Sequence, residues 1–245
     1  MEVIHELLGV EKLKIYQDDT LNSFSVDSNI LSSFVTIKKS DKLILDLGTG
    51  NAPIPLYLTL RTNAKIFGIE IQTNIYELAQ KSVKINNKED QIKLVLGDIK
   101  KIDSYFQMHS FDVVVSNPPF FKITKDSHTN PNLSLAISRH EIESNLEDFV
   151  RAASLMLKDK GVYALVHRAE RLSDIIFLFR KYNIEPKRIR LVGANENKDF
   201  NQVLVEGIYK GHCGVKMLKP LYIHPIHESN RQEIIDIYNG IIKEK

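Results

Sequence analysis

A chain of 245 residues, 43% hydrophobic and 26% charged, is long enough for one large domain with a substantial core. No apolar run approaches the ~20 residues needed to cross a bilayer, and the lone Cys213 excludes an internal disulfide. Met1–Val10 lacks the basic-then-apolar order of a secretion signal, so a cytoplasmic protein is expected. The formal charge of +2 is unevenly spread: residues 151–245 hold 17 Lys+Arg against 11 Asp+Glu, and residues 1–150 hold 16 against 20. This is either ordinary surface scatter or a basic C-terminal half that meets phosphates.

From the N-terminus, the pattern predicts a short helix, a hairpin of Lys14–Gln17 with Asn22–Val26, and a helix over 27–37. Strands follow at Lys42–Leu47, Lys65–Glu70, Ile92–Leu96, Phe111–Ser116 and Gly161–His167. Ile66–Ile69, Val113–Val115 and Val162–Val166 lack polar alternation, as central parallel strands do. Helices are predicted over 54–61, 73–87 and 146–158, the last with Asn145 as N-cap and Glu147 and Asp148 in its first turn. The polar stretch Lys122–Arg139 has little periodicity and reads as a long functional loop. A helix over 170–182 precedes two strands, Lys187–Val192 and Gln202–Tyr209, and an amphipathic helix over 230–243 ends the chain. The fold class is therefore α/β: a Rossmann-like, seven-stranded, mostly parallel sheet with helices on both faces and a terminal antiparallel hairpin. One domain is expected, with an extension over 1–40 that covers the ligands, a catalytic core over 41–210 and a C-terminal extension over 211–245.

The first core strand, Leu43–Leu47, runs into Gly48-Thr49-Gly50, and Pro53 suits the first turn of the next helix. A dinucleotide fingerprint would need glycine at 53, and the acidic Asp46 before the turn is wrong for a pyrophosphate. A carboxylate there suits a cationic cofactor. Glu70 ends the second strand about 20 residues on, where a carboxylate can accept from both vicinal hydroxyls of a ribose. Asp98 follows the third strand, in place to accept from an exocyclic adenine amine. Over roughly residues 40–170 this pattern resembles the class I S-adenosylmethionine-dependent methyltransferases. The resemblance implies S-adenosyl-L-methionine as cofactor, with Asp46, Gly48, Thr49 and Gly50 around its methionine part, Glu70 and Ile71 at the ribose, Asp98 and Ile99 at the adenine, and Asn117 beside them.

The fourth strand ends in Asn117-Pro118-Pro119-Phe120. Two prolines stiffen the chain and remove two backbone donors, leaving the Asn117 side-chain oxygen and the Pro118 carbonyl as acceptors for a planar amine. Phe120 offers a ring on which a base can stack, worth ~1–3 kcal/mol. The motif resembles that of amino-methyltransferases acting on adenine N6, cytosine N4, guanine N2 or protein glutamine, and implies Asn117, Pro118, Pro119 and Phe120 as the catalytic segment.

Four flanking segments narrow the choice: Phe24–Leu31 (FSVDSNIL), Arg139-His140-Glu141, Leu165–Leu172 and Leu204–Gly211. With them, nearly the whole chain resembles the bacterial tRNA(Val) adenine-37 N6-methyltransferases, although Ala52 stands where that family often has glycine and the tail diverges. The resemblance implies the anticodon stem-loop of a tRNA as partner and the adenine just 3′ of the anticodon as target. Phe120, Phe121, Lys122 and Lys125 then border the base pocket and anticodon backbone, and Arg168 and Arg171 belong to the basic half with Arg180, Lys181, Lys187, Arg188 and Arg190. Arg139 and His140 either contact phosphate or cap the next helix.

Two rival enzymes act on ribosomal RNA guanine N2 or protein glutamine. The first usually carries a tandem duplication, absent here, and the second an Asn-Pro-Pro-Tyr motif with a helical N-terminal domain. A non-catalytic RNA-binding relative need not keep Asp46, Glu70, Asp98 and Asn117 together. His224 and His227 have no matching ligand set, so no metal is expected. The chain is expected as a monomer or a dimer.

Overall fold

The computed structural model describes residues 2–7, 10–18, 26–119 and 145–240. The chain opens with an antiparallel hairpin, β1 (Glu2–Leu7) with β2 (Val10–Asp18), followed by α1 (Val26–Phe34). This corrects the expected start. There is no short helix at 2–7; Lys14 pairs back to Glu6 and Gln17 to Val3, and Val26 opens a helix. Asn22–Ser25 lie outside the described residues. The cause is tertiary rather than local. Ser82 and Asn86, far along the chain, take the hairpin's outward backbone groups: Tyr16 N donates to Ser82 Oγ at 2.9 Å, Lys14 N to Asn86 Oδ1 at 2.9 Å, and Asn86 Nδ2 to the Lys14 carbonyl at 2.6 Å.

Strands then alternate with helices: β3 (Leu43–Leu47), α2 (Pro53–Leu58), β4 (Lys65–Glu70), α3 (Thr73–Ile85), β5 (Ile92–Leu96), β6 (Phe111–Ser116), α4 (Leu146–Met156) and β7 (Leu157–Arg168). A short 3-10 helix, Ile99–Ser104, links β5 to β6. Beyond β7 come α5 (Leu172–Lys181), β8 (Ile184–Gly193), β9 (Phe200–Tyr209), β10 (Lys216–Met217), β11 (Leu221–Tyr222) and α6 (Glu228–Tyr238). The start of α4 is held by a capping box, in which Asn145 Oδ1 accepts from Asp148 N and Asp148 Oδ2 from Asn145 N, each at 3.1 Å.

The sheet order is β10-β8-β9-β7-β6-β3-β4-β5, with β11 also on β8. Strands β3 to β7 are mutually parallel, and β9 runs antiparallel to both β7 and β8. The seven expected strands are β3 to β9. Two further strands of two residues each, β10 and β11, extend the edge parallel to β8.

Alternate side chains build a core on each face. Ile44, Ile66, Val113, Val115, Ala164 and Val166 pack with residues of the hairpin, α1, α2, α3 and α6. Leu45, Leu47, Val114, Tyr163 and Leu165 pack against Phe149 and Met156 of α4 and Ile175 and Phe179 of α5. Full burial of such a side chain contributes ~1.5–3 kcal/mol, so losing the strand period would forfeit both cores. Because β3 to β6 are parallel, their carboxyl ends share one edge of the sheet, where doubly wound folds place their ligands.

Candidate active site

Register brings the two sequence motifs together. Leu47 pairs with Ser116, so Gly48 and Asn117 leave adjacent strands side by side. Gly48 and Gly50 have φ of 66° and 57°, and a Cβ on Gly48 would meet the Phe149 ring at 3.1 Å. Ala52 holds the same left-handed region at φ 70°, at ~1–2 kcal/mol for a residue with a Cβ.

Two carboxylates shape this turn from inside. Glu70, at the end of β4, is 5% exposed. Its Oε2 accepts from Gly50 N at 3.0 Å, and its Oε1 from Ile71 N and Gln72 N, both at 3.0 Å. Glu70 therefore ties the glycine turn to the start of α3. Asp46 is fully buried; its Oδ2 accepts from Thr49 Oγ1 at 2.7 Å, and its Oδ1 has no hydrogen-bond partner among the described residues. Burial pushes the Asp46 carboxyl up to about 8; the Thr49 hydroxyl opposes that shift and the Glu70 charge adds to it.

Other expected residues spread along the same edge. Asp98 is half-buried and accepts from Lys100 N at 2.8 Å, capping the short 3-10 helix. Ile99 is buried in the core beneath it, whereas Ile71 is 36% exposed. Asn117 is half-buried, Pro118 buried and Pro119 half-buried. Phe120, Phe121, Lys122, Lys125, Arg139 and His140 lie outside the described residues, as does most of the expected long loop.

Five of the seven basic residues singled out after β7 have partners within the fold. Arg188 Nη1 donates to Thr36 Oγ1 at 2.7 Å and to Glu206 Oε1 at 2.9 Å, beside the end of α1. Arg190 reaches both carboxylate oxygens of Glu233 and so docks α6. Lys187 Nζ donates to the carbonyls of Cys213 and Gly214, while Arg180 and Lys181 pair with Glu185 and Glu147. Each of these five therefore serves the fold through at least one contact. Arg171 Nε pairs with Asp174 at 2.5 Å. Arg168 ends β7 opposite Gln202, following the buried His167, whose ring is held down to about 4 by burial and by the Arg171 and Arg168 charges.

Sequence reasoning passed over two positions here. Tyr163 is fully buried, and its hydroxyl lies 2.7 Å from Oγ of Ser116, the residue before Asn117; one hydroxyl in the otherwise apolar run Val162–Val166 was the available signal. Gln17 is the other, on the inner face of β2. Among the described residues, no group of three or more His, Cys, Asp or Glu is placed to hold a metal ion, and no helix is long and apolar enough to cross a membrane.

A glycine turn beside an Asn-Pro-Pro segment, on the carboxyl edge of a sheet of this order, has the arrangement of a methyltransferase. Residues 38–183 match the methyltransferase domain family, and the chain belongs to it. A Porphyromonas gingivalis protein named tRNA1(Val) (adenine(37)-N6)-methyltransferase is 32% identical over 165 residues, 66% of this chain and 64% of that protein. The chain thus matches just under two thirds of that relative's length. A Parabacteroides distasonis protein of the same name is 24% identical over 234 residues, 96% of this chain and 94% of that one. The crystal structure of a predicted O-methyltransferase from Agrobacterium tumefaciens superposes with a TM-score of 0.72 at 19% identity, covering 89% of this chain and 98% of that chain. That likeness concerns the fold alone.

Proposed function

We propose that this chain transfers a methyl group from S-adenosylmethionine to N6 of adenine 37 in the anticodon loop of tRNA(Val). The observation that carries the reading is the Leu47–Ser116 register, which sets the Gly48 turn and Asn117 side by side. The shared name of the relatives, at 24% to 32% identity, supports the substrate. The residues of the turn suit this cofactor: a buried carboxylate with one unpaired oxygen favours a cation, and two glycines leave room for a nucleoside's approach. Asp46, Gly48, Thr49 and Gly50 hold the methionine end, Glu70 the ribose and Asp98 the adenine. The tie from Glu70 to Gly50 N keeps the turn open for that contact.

Bound cofactor supplies a methyl group on a positively charged sulfur. The rest of the reaction belongs to the protein. Asn117 Oδ1 and the Pro118 carbonyl accept the two N6–H bonds, which keeps the amine's lone pair aimed at the methyl carbon. The N6 proton displaced on methylation would pass to water, so no strong base is required of the chain. Splaying one base from a loop costs at most a few kcal/mol, and Phe120 offers a stacking face in return. Core residues 41–210 carry this chemistry and the 1–40 extension covers the cofactor, in the cytoplasm where the tRNA is.

The test is nucleoside mass spectrometry of tRNA incubated with enzyme and cofactor, mapping N6-methyladenosine to position 37. Asn117→Ala should retain S-adenosylhomocysteine binding and lose turnover by about 10²-fold or more, the usual cost of one orienting polar group. A variant that methylates tRNA at the wild-type rate would sink the mechanism.

A further inference from the structure

Among the described residues, two buried side-chain atoms lack a hydrogen-bond partner: Gln17 Nε2 and Asp46 Oδ1. Folded chains keep few such groups, and each one present calls for a partner or a purpose. One is a donor and the other an acceptor, and they belong to two segments that meet at the same turn. Asp46 precedes it and accepts from Thr49 Oγ1. Gln17 follows Tyr16, whose carbonyl accepts from Asn51 Nδ2 at 2.8 Å, and Asn51 follows Gly50.

The hairpin that carries Gln17 is firmly seated. Leu13 (5% exposed), Ile15 (0%) and Gln17 (7%) form the inner face of β2, with Tyr16 between them half-exposed. Beyond the Ser82 and Asn86 contacts, Glu2 pairs with Lys81 at 2.6 Å. The fold thus keeps an amide donor buried on the strand that reaches the glycine turn, with no hydrogen-bond partner among the described residues.

We infer that Gln17 binds the amino-acid end of the cofactor, its amide donating to the α-carboxylate while Asp46 Oδ1 accepts from the α-ammonium. The inference rests on the cofactor reading above. A zwitterion is the chemistry that satisfies both atoms at once, because its carboxylate only accepts and its ammonium only donates. The ribose and adenine fall to Glu70 and Asp98, at the ends of β4 and β5, which leaves the amino-acid end for the turn after β3. The N-terminal hairpin is then a wall of the cofactor site rather than a covering alone.

Gln17→Leu separates this role from a structural one. Calorimetric titration uses S-adenosylhomocysteine, which has the amino-acid end, and 5′-methylthioadenosine, which lacks it; melting curves are taken without ligand. Removing an unpaired buried donor should leave the ligand-free melting temperature equal to or above the wild type's. Affinity for S-adenosylhomocysteine should fall about ten-fold or more, as for one hydrogen bond to a charged group, with methylthioadenosine unaffected. Equal loss for both ligands, no loss for S-adenosylhomocysteine, or a lowered ligand-free melting temperature would each overturn the assignment. If the wild type binds neither ligand, the cofactor reading itself fails; if it binds both and Gln17→Leu changes neither, only the role of Gln17 fails.

Discussion

Replacing Glu70 by glutamine tests whether this side chain organises the turn or merely borders it. The carboxylate serves three backbone donors, Gly50, Ile71 and Gln72, all at 3.0 Å. Glutamine keeps the shape but has one acceptor oxygen. If that oxygen stays with Ile71 and Gln72, the amide NH₂ faces Gly50 N–H, and a largely buried donor goes unpaired at about 1–3 kcal/mol. The two retained bonds lose their charge assistance, at roughly 0.5–1 kcal/mol each. Removing the charge beside Asp46 returns a smaller amount, since Glu70 is the least of the influences on that carboxyl. The net loss is about 2–4 kcal/mol, and at roughly 2–4 °C per kcal/mol for a chain of this size the melting point should drop by about 5–15 °C. Asp98→Asn is the control, because Asp98 serves one backbone donor and keeps an acceptor after the change. Differential scanning calorimetry reads both variants. If Glu70→Gln melts within about 2 °C of the wild type, or Asp98→Asn costs as much, counting donors is the wrong account of this turn.

Tyr163→Phe leaves Ser116 Oγ buried without its partner and should cost about 1–3 kcal/mol, while Ser116→Ala with Tyr163→Phe recovers most of it; urea midpoints of the two singles and the double give the coupling, and strict additivity would count against the pair. His167 bears on acid stability. Its folded pKa of about 4 lies below the ordinary 6.5, so the unfolded chain binds more protons between these values. Stability from this group is complete above about pH 6.5 and is lost as pH falls toward 4, by roughly 3 kcal/mol. His167→Gln should remove this loss, so the wild-type-minus-variant difference in stability should fall by roughly 3 kcal/mol from pH 6.5 to 4, and a difference that stays constant across the window would mean that the folded ring is not depressed.

Much of the fold can be read from the chain because β3, β4, β6 and β7 bury both faces along most of their length. A parallel strand covered on both sides must be apolar throughout, so Val113–Val115 and Val162–Val166 announce themselves. The hairpin could not be read that way. Its outer strand shows no clean alternation, with Ile4 47% exposed, and its pairing is fixed by Ser82 and Asn86 some seventy residues away. Strands of two residues, such as β10 and β11, are shorter than any period that could reveal them. The partners of the basic residues are hidden for a related reason: a local pattern counts charges but cannot see that Glu206 and Glu233 lie within reach of Arg188 and Arg190.

The candidate site divides along the same line. Residue types at strand ends mark Asp46, Glu70, Asp98 and Asn117, since parallel topology must bring those ends to one edge. Which atoms remain available there is a matter of packing. Glu70 stands where a ribose ligand is expected, yet it already holds three backbone donors, while Asp46 keeps one oxygen unpaired in a fully buried place. The acid that looks most accessible from its strand-end position is thus the one most engaged by the fold, and the one hidden in the core keeps an unmet acceptor. A cation arriving at the turn would lower the cost of ionising Asp46, so binding there should release a proton below about pH 8. Glu70, held by its three donors, would hold the turn in shape while that happens.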